Sequence, residues 1–207
     1  MTEEKPSPFI DEYLGRYLLQ GALKEEGEVR AKQLGSRNRI VDEVYVPQYP
    51  RYLWLGARLD FVLMNDVACI ITCAATIEAS LKDFLGVYFR KQLQLDFDTA
   101  LDEMELRSLL AMCYSLSLFK ESDAIVTHIH TVEQIRHEFV HSKIHKLIEK
   151  SRTRFAKELG SEWNEIDAKV QELMVAGGVG EDESLKTLEL LEKILKGLFQ
   201  DSQYAKW

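Results

Sequence analysis

Three cysteines in 207 residues are too few for a disulfide scaffold, and their scarcity points to a reducing, cytoplasmic setting. Proline is scarcer than usual: Pro6, Pro8, Pro47 and Pro50 all lie in the first quarter, so from Arg51 onward nothing forbids long helices. Eleven glycines, with few Gly-Gly or Asn-Gly pairs, leave few sharp turns. No apolar run is long. The best, Val67 to Ile77, falls well short of the roughly 18 residues a membrane span needs. The first residues are acidic and lack an apolar core, so they do not read as a signal peptide. The net charge of −8 argues against nucleic acid as a partner of the surface at large. With 46% hydrophobic residues the chain is too apolar to be disordered, and its length suits one domain with appendages.

What is present is helical periodicity. From Leu59 to Tyr88, apolar residues recur at spacings of three and four, predicting a long helix from about Arg58 to Leu93 with a kink or break inside it. Its middle is apolar almost all round, as suits the central helix of a bundle. Further helices are expected over Leu101–Phe119, Ala124–Leu159 with Ser122 or Asp123 as cap, Ser161 to about Ala176, and Leu185–Phe199 led by Ser184. Phe9 to Leu34 reads as an amphipathic helix. Ile40 to Val46 is the one strand candidate and reads more readily as extended linker. The expected fold is all-α: an antiparallel helical bundle over residues 58–207, preceded by an N-terminal arm of helix and linker over residues 1–57.

All five histidines fall between His128 and His145, and His137, His141 and His145 are spaced to line one helix face. Two motifs overlap there. His137-Glu138-Phe139-Val140-His141 matches the H-E-x-x-H pattern, in which two imidazoles hold zinc and the glutamate acts as general base. The extended form of that pattern wants a histidine where Leu147 stands, leaving Glu165 as the best-placed third ligand. A zinc peptidase using His137, Glu138 and His141 is thus one reading, although such enzymes usually hold peptide against a strand edge and this chain offers almost none.

The second motif is Arg136-x-x-x-x-His141, with His137 following the arginine, and an earlier helix carries Ala74-Ala75-Thr76-Ile77-Glu78-Ala79-Ser80-Leu81. Together these resemble the HEPN family, over roughly residues 58 to 200. The resemblance implies a HEPN-like bundle and a metal-independent endoribonuclease of toxin or defence type. Arg136 and His141 would be catalytic, Glu78 and His137 supporting, and no cofactor needed. It also implies a homodimer with the active groove between subunits, and a cognate antitoxin or regulatory protein as a possible partner. Some relatives bind RNA or nucleotides, or serve as interaction modules, without cutting, and that alternative stays open.

The residue types suit the chemistry. RNA carries its own nucleophile, the 2′-hydroxyl, and histidine, with an unperturbed pKa of about 6.5, suits removing its proton. Arginine, always charged and fork-shaped, suits a phosphorane that gathers negative charge. Arg136 and His141 stand about 140° apart on an ideal helix and so would flank a groove, where Glu78 could orient Arg136. Charge is also uneven: between Arg136 and Lys157, seven cations face two carboxylates, so this stretch carries +5 and the remainder −13. Lys143, Lys146 and Lys150 would then extend a basic track for RNA beside the pair.

Plainer readings exist for each feature. Glu78 can simply pair with Lys82 one turn on. Cys69, Cys73 and Cys113 read as buried small hydrophobes. Tyr45, Tyr49, Tyr52 and Trp54 can pack the arm onto the bundle or stack RNA bases. Gly177-Gly178-Val179-Gly180 lacks the lysine of a phosphate loop.

Overall fold

The computed structural model describes residues 22–35, 45–141, 153 and 180–200. Among them the protein is an all-helical bundle without a strand. Its helices are α1 (Ala22–Gly35), α2 (Gln48–Val62), α3 (Asp66–Tyr88), α4 (Asp98–Asp102), α5 (Leu106–Ser115), α6 (Ala124–His141) and α7 (Glu181–Phe199), with a π-helical turn at Phe89–Leu93 closing α3. The expected helix over residues 161–176 and the linker at 40–44 lie outside the described residues. No described helix is long and apolar enough to cross a membrane.

α3 is the axis of the bundle. Its near-continuous apolar surface is covered by α2, α4, α5, α6 and α7, all of which pack on it. Cys69, Ile70, Cys73, Ile77, Leu81, Phe84 and Leu85 are buried in consequence. α7 is amphipathic: Leu188, Leu191, Ile194, Leu195 and Leu198 face the core, while Glu181, Asp182 and Glu183 occupy the first turn, where carboxylates meet the positive end of the helix dipole. All three cysteines are free and buried, as expected of small hydrophobes, and burial pushes the Cys113 thiol up to about 12.

The long helix expected from Arg58 breaks between Val62 and Asp66. The Asn65 N–H bonds to the Asp60 carbonyl at 2.8 Å and the Met64 N–H to the Phe61 carbonyl at 3.0 Å, which is a Schellman motif with Met64 in the left-handed region at φ 60°. Asn65 then caps α3 by accepting from the Ala68 N–H at 3.4 Å. α5 ends the same way: the Leu118 N–H bonds to the Cys113 carbonyl and the Ser117 N–H to the Tyr114 carbonyl, each at 2.9 Å, with Ser117 at φ 56°. Non-glycine residues pay a steric penalty in that region, and Ser117 is exposed. Ser117→Gly is therefore expected to stabilise the protein by about 1 kcal/mol, read as a higher denaturant midpoint at unchanged slope.

α2 runs across positions 57 and 58, where the sequence suggests the limit between arm and bundle. α1, within the expected arm, is fastened to the bundle by a buried ion pair. Arg30 donates to the Asp66 carboxylate at 2.7 Å and to the Phe61 carbonyl at 3.2 Å, and its guanidinium lies 5.0 Å from the centre of the Phe61 ring. Asp66, wholly buried in the first turn of α3, also accepts from the Ser184 hydroxyl at 2.7 Å and the Gly180 N–H at 3.2 Å. Burial pushes the Asp66 carboxyl up, while Arg30, Ser184 and Gly180 favour its charged form. One carboxylate thus joins α1, the α2–α3 turn and the start of α7. Gly180 is held close: a Cβ there would meet the Phe139 ring at 2.6 Å. The last turn of α6 and the first of α7 are pinned together at that point.

Candidate functional site

α6 buries Val126, Ile129, Val132, Ile135 and Phe139 against the core, so spacing alone sends His130, Gln134, Arg136 and His137 outward. This face meets the side of α3 that carries Glu78 and the start of α5. Between them lies a cavity of about 690 Å³ lined by Glu78, Glu105, Leu106, Arg107, His130, Glu133, Gln134, Arg136 and His137. A second groove of about 440 Å³ lies along α3, lined among others by Tyr49, Ile71, Asp83 and Asp102, and it shares Glu78, Leu106 and Arg136 with the first. Glu78 and Arg136 therefore sit on the divide between two adjoining recesses.

The charges within the larger cavity are not equally available. Glu133 accepts from Arg107 Nε at 2.6 Å and lies 3.7 Å from His130 Nδ1, one helical turn before it. Glu78 pairs with Lys82 at 2.9 Å, and Lys82 also donates to the Asp102 carbonyl at 3.0 Å. The i+4 pairing expected as the plain alternative for Glu78 is thus present, and no hydrogen bond joins Glu78 to Arg136. Arg136 is exposed and has no hydrogen bond or ion pair with a described residue. Among the described residues lining this cavity it is the free cation, with a fork of donors open to an incoming anion.

Of the residues singled out from the sequence, Glu78, Arg136 and His137 come together here although 58 positions separate Glu78 from Arg136. Position 141 ends the described part of α6, and the His141 side chain lies outside the described residues, as do Lys143, Lys146, Lys150 and Glu165. Two of the zinc-motif residues, His137 and Glu138, are described on α6. Among the described residues no group of three or more His, Cys, Asp or Glu side chains is placed to hold a metal ion. The sequence reading does not single out Glu105, Arg107 or Glu133. His130 carried a signal, standing seven residues before His137 on the same face, with Glu133 one turn after it. Arg107 carried none, since it meets Glu133 only because α5 and α6 both pack on α3.

No protein-family model matches the chain, and no curated protein or solved structure does either.

Proposed function

We propose that this protein is a HEPN-like RNA-acting protein, a metal-independent endoribonuclease of toxin or defence type whose working groove forms in a homodimer. The observation that carries the reading is Arg136: exposed, unpaired with any described residue, and set at the meeting point of two recesses that also hold Glu78. His137 lines the larger recess beside it. An arginine with no carboxylate partner among the described residues, set in a polar cavity, suits a phosphate better than a structural ion pair.

In the proposed reaction Arg136 binds the scissile phosphate. His141 takes the proton of the 2′-hydroxyl, the 2′-oxygen bonds to phosphorus, and the bond from phosphorus to the 5′-oxygen breaks. The leaving oxygen takes up a proton, from imidazolium or from water. The products are a 2′,3′-cyclic phosphate and a 5′-hydroxyl, and no metal enters. The basic stretch with Lys143, Lys146 and Lys150 would hold the flanking RNA, and a partner that covers it would restrain the activity.

The test is incubation of the full chain in EDTA with a single-stranded RNA and with the DNA of the same sequence. RNA is expected to be cut to cyclic-phosphate ends while DNA stays intact, since only RNA has the 2′-hydroxyl. Cutting of the DNA, or loss of RNA cleavage on chelation, would overturn the mechanism. Stoichiometric zinc in the purified protein would favour the peptidase reading of His137, Glu138 and His141 instead.

A further inference from the structure

The smaller groove is lined by both an exposed aromatic ring and a carboxylate. Tyr49, 64% exposed on the first turn of α2, lines it together with Leu53 of α2 and with Ala75, Ala79 and the 42% exposed Ile71 of α3. A large apolar group left exposed beside a concave surface marks a contact site more often than an isolated exposed residue does. The same groove is lined by Asp83, a half-buried carboxylate with no hydrogen bond or ion pair to a described residue; burial pushes its carboxyl up, and Arg90, Asp98 and Asp102 act on it through space. Arg136 lies on the rim shared with the larger cavity.

From this juxtaposition we propose that the groove is a nucleobase subsite: it takes one unpaired RNA base bearing an exocyclic amino group, stacked on Tyr49, while Arg136 binds the adjoining phosphate. The proposal rests on the RNA-acting reading above and names the kind of RNA that site takes. A base fits where a second phosphate does not. Its flat face needs an aromatic surface, and its amino group needs an acceptor, which ionised Asp83 supplies. A carboxylate repels phosphate and accepts only, so it favours the donors of adenine, cytosine or guanine over the carbonyl-rich edge of uracil. Duplex RNA cannot offer a free base face, so the site is selective for single strands. At about 440 Å³ the groove is within the range of small-ligand pockets.

The experiment measures binding of the full chain, in EDTA, to fluorescein-labelled single-stranded oligoadenylate, oligocytidylate and oligouridylate made with 2′-deoxy-2′-fluoro sugars that cannot be cleaved. The expected result is tighter binding of the first two, a loss of roughly tenfold or more in Tyr49→Ala, and retention of affinity in Tyr49→Phe, which keeps the ring. Asp83→Asn should erase the preference against uridine. Because Tyr49 is exposed, its substitution leaves the core intact, and an unchanged thermal midpoint verifies this. If the parent binds these oligomers and cuts RNA but Tyr49→Ala binds as tightly, the subsite is wrong and the nuclease reading survives. Neither binding nor cutting by the parent overturns both. A change of oligomeric state in Tyr49→Ala, seen by analytical ultracentrifugation with RNA affinity unchanged, would assign the groove to contact between copies and overturn the subsite.

Discussion

Asp66→Ala is expected to lower stability by about 3–5 kcal/mol, because it removes the closest and wholly buried carboxylate of a buried guanidinium. Arg30 is 2% exposed and would keep its guanidinium in the protein interior with its closest carboxylate gone, leaving Glu181 at 3.6 Å. The Ser184 hydroxyl and the Gly180 N–H, both donors to Asp66, would lose their acceptor at the same time. Urea denaturation checks the size of the loss, and a double-mutant cycle with Arg30→Met checks its cause. Removing both ends takes away the under-compensated buried charge, so the double variant should be less destabilised than the two single losses summed. Asp66→Ala unfolding at the parent's midpoint would mean that this pair does not hold α1 and α7 to the bundle. The same substitution bears on the site. Gly180 sits against Phe139 in the last described turn of α6, so loosening Asp66 loosens the backbone that sets Arg136 and position 141.

The fold class was legible because it depends on local rules. With proline confined to the first quarter and apolar residues at helical spacing, nothing but a bundle buries the faces of α3, α6 and α7. A kink or break in the long helix was expected from its length, but the position of the break was not legible because its usual markers are missing. Sequence reasoning looks for glycine where a helix turns left-handed at its end, and here Met64 and Ser117 occupy those positions. Asn65, directly before Asp66, was the available clue, since asparagine is among the best N-caps. The Arg30–Asp66–Ser184 network was out of reach for a different reason: its members stand 36 and 118 positions apart, and no spacing rule relates residues on separate helices. The same division runs through the candidate site. Arg136 and His137 share a helix and could be read from one segment, whereas the Arg107–Glu133 pair, which leaves Arg136 as the cavity's arginine without a partner among the described residues, exists only once α5 and α6 both pack on α3. Tyr49 and Trp54 show how composition alone misleads: the cluster suggests a single role, yet Trp54 is buried beneath the Arg58 guanidinium at 4.6 Å while Tyr49 is left outside.

His141→Ala should reduce RNA cleavage by roughly 10²–10⁴-fold, the usual contribution of a positioned general acid or base. RNA affinity should stay close to the parent's, because a neutral imidazole adds little to phosphate binding. That separation of rate from binding is what an interaction module would not show, since there is no rate for it to lose. Arg136→Ala should act on both quantities. Cleavage should fall by roughly 10²–10³-fold, as when one donor to a developing oxyanion is removed. Binding should also weaken, with the slope of log affinity against log salt falling by about one, since one phosphate contact is lost. Arg136→Lys tests geometry against charge. It keeps the cation and should restore the salt slope, but a point charge cannot make the two parallel bonds of a guanidinium, so the rate should recover only in part. The double variant should fall less than the product of the single losses if the two residues act on one transition state. Full cleavage by His141→Ala would remove the base from the mechanism and leave Arg136 as a binding residue alone. Full cleavage by Arg136→Ala would deny the reading its central observation, since the guanidinium between the two recesses would then serve nothing in the reaction.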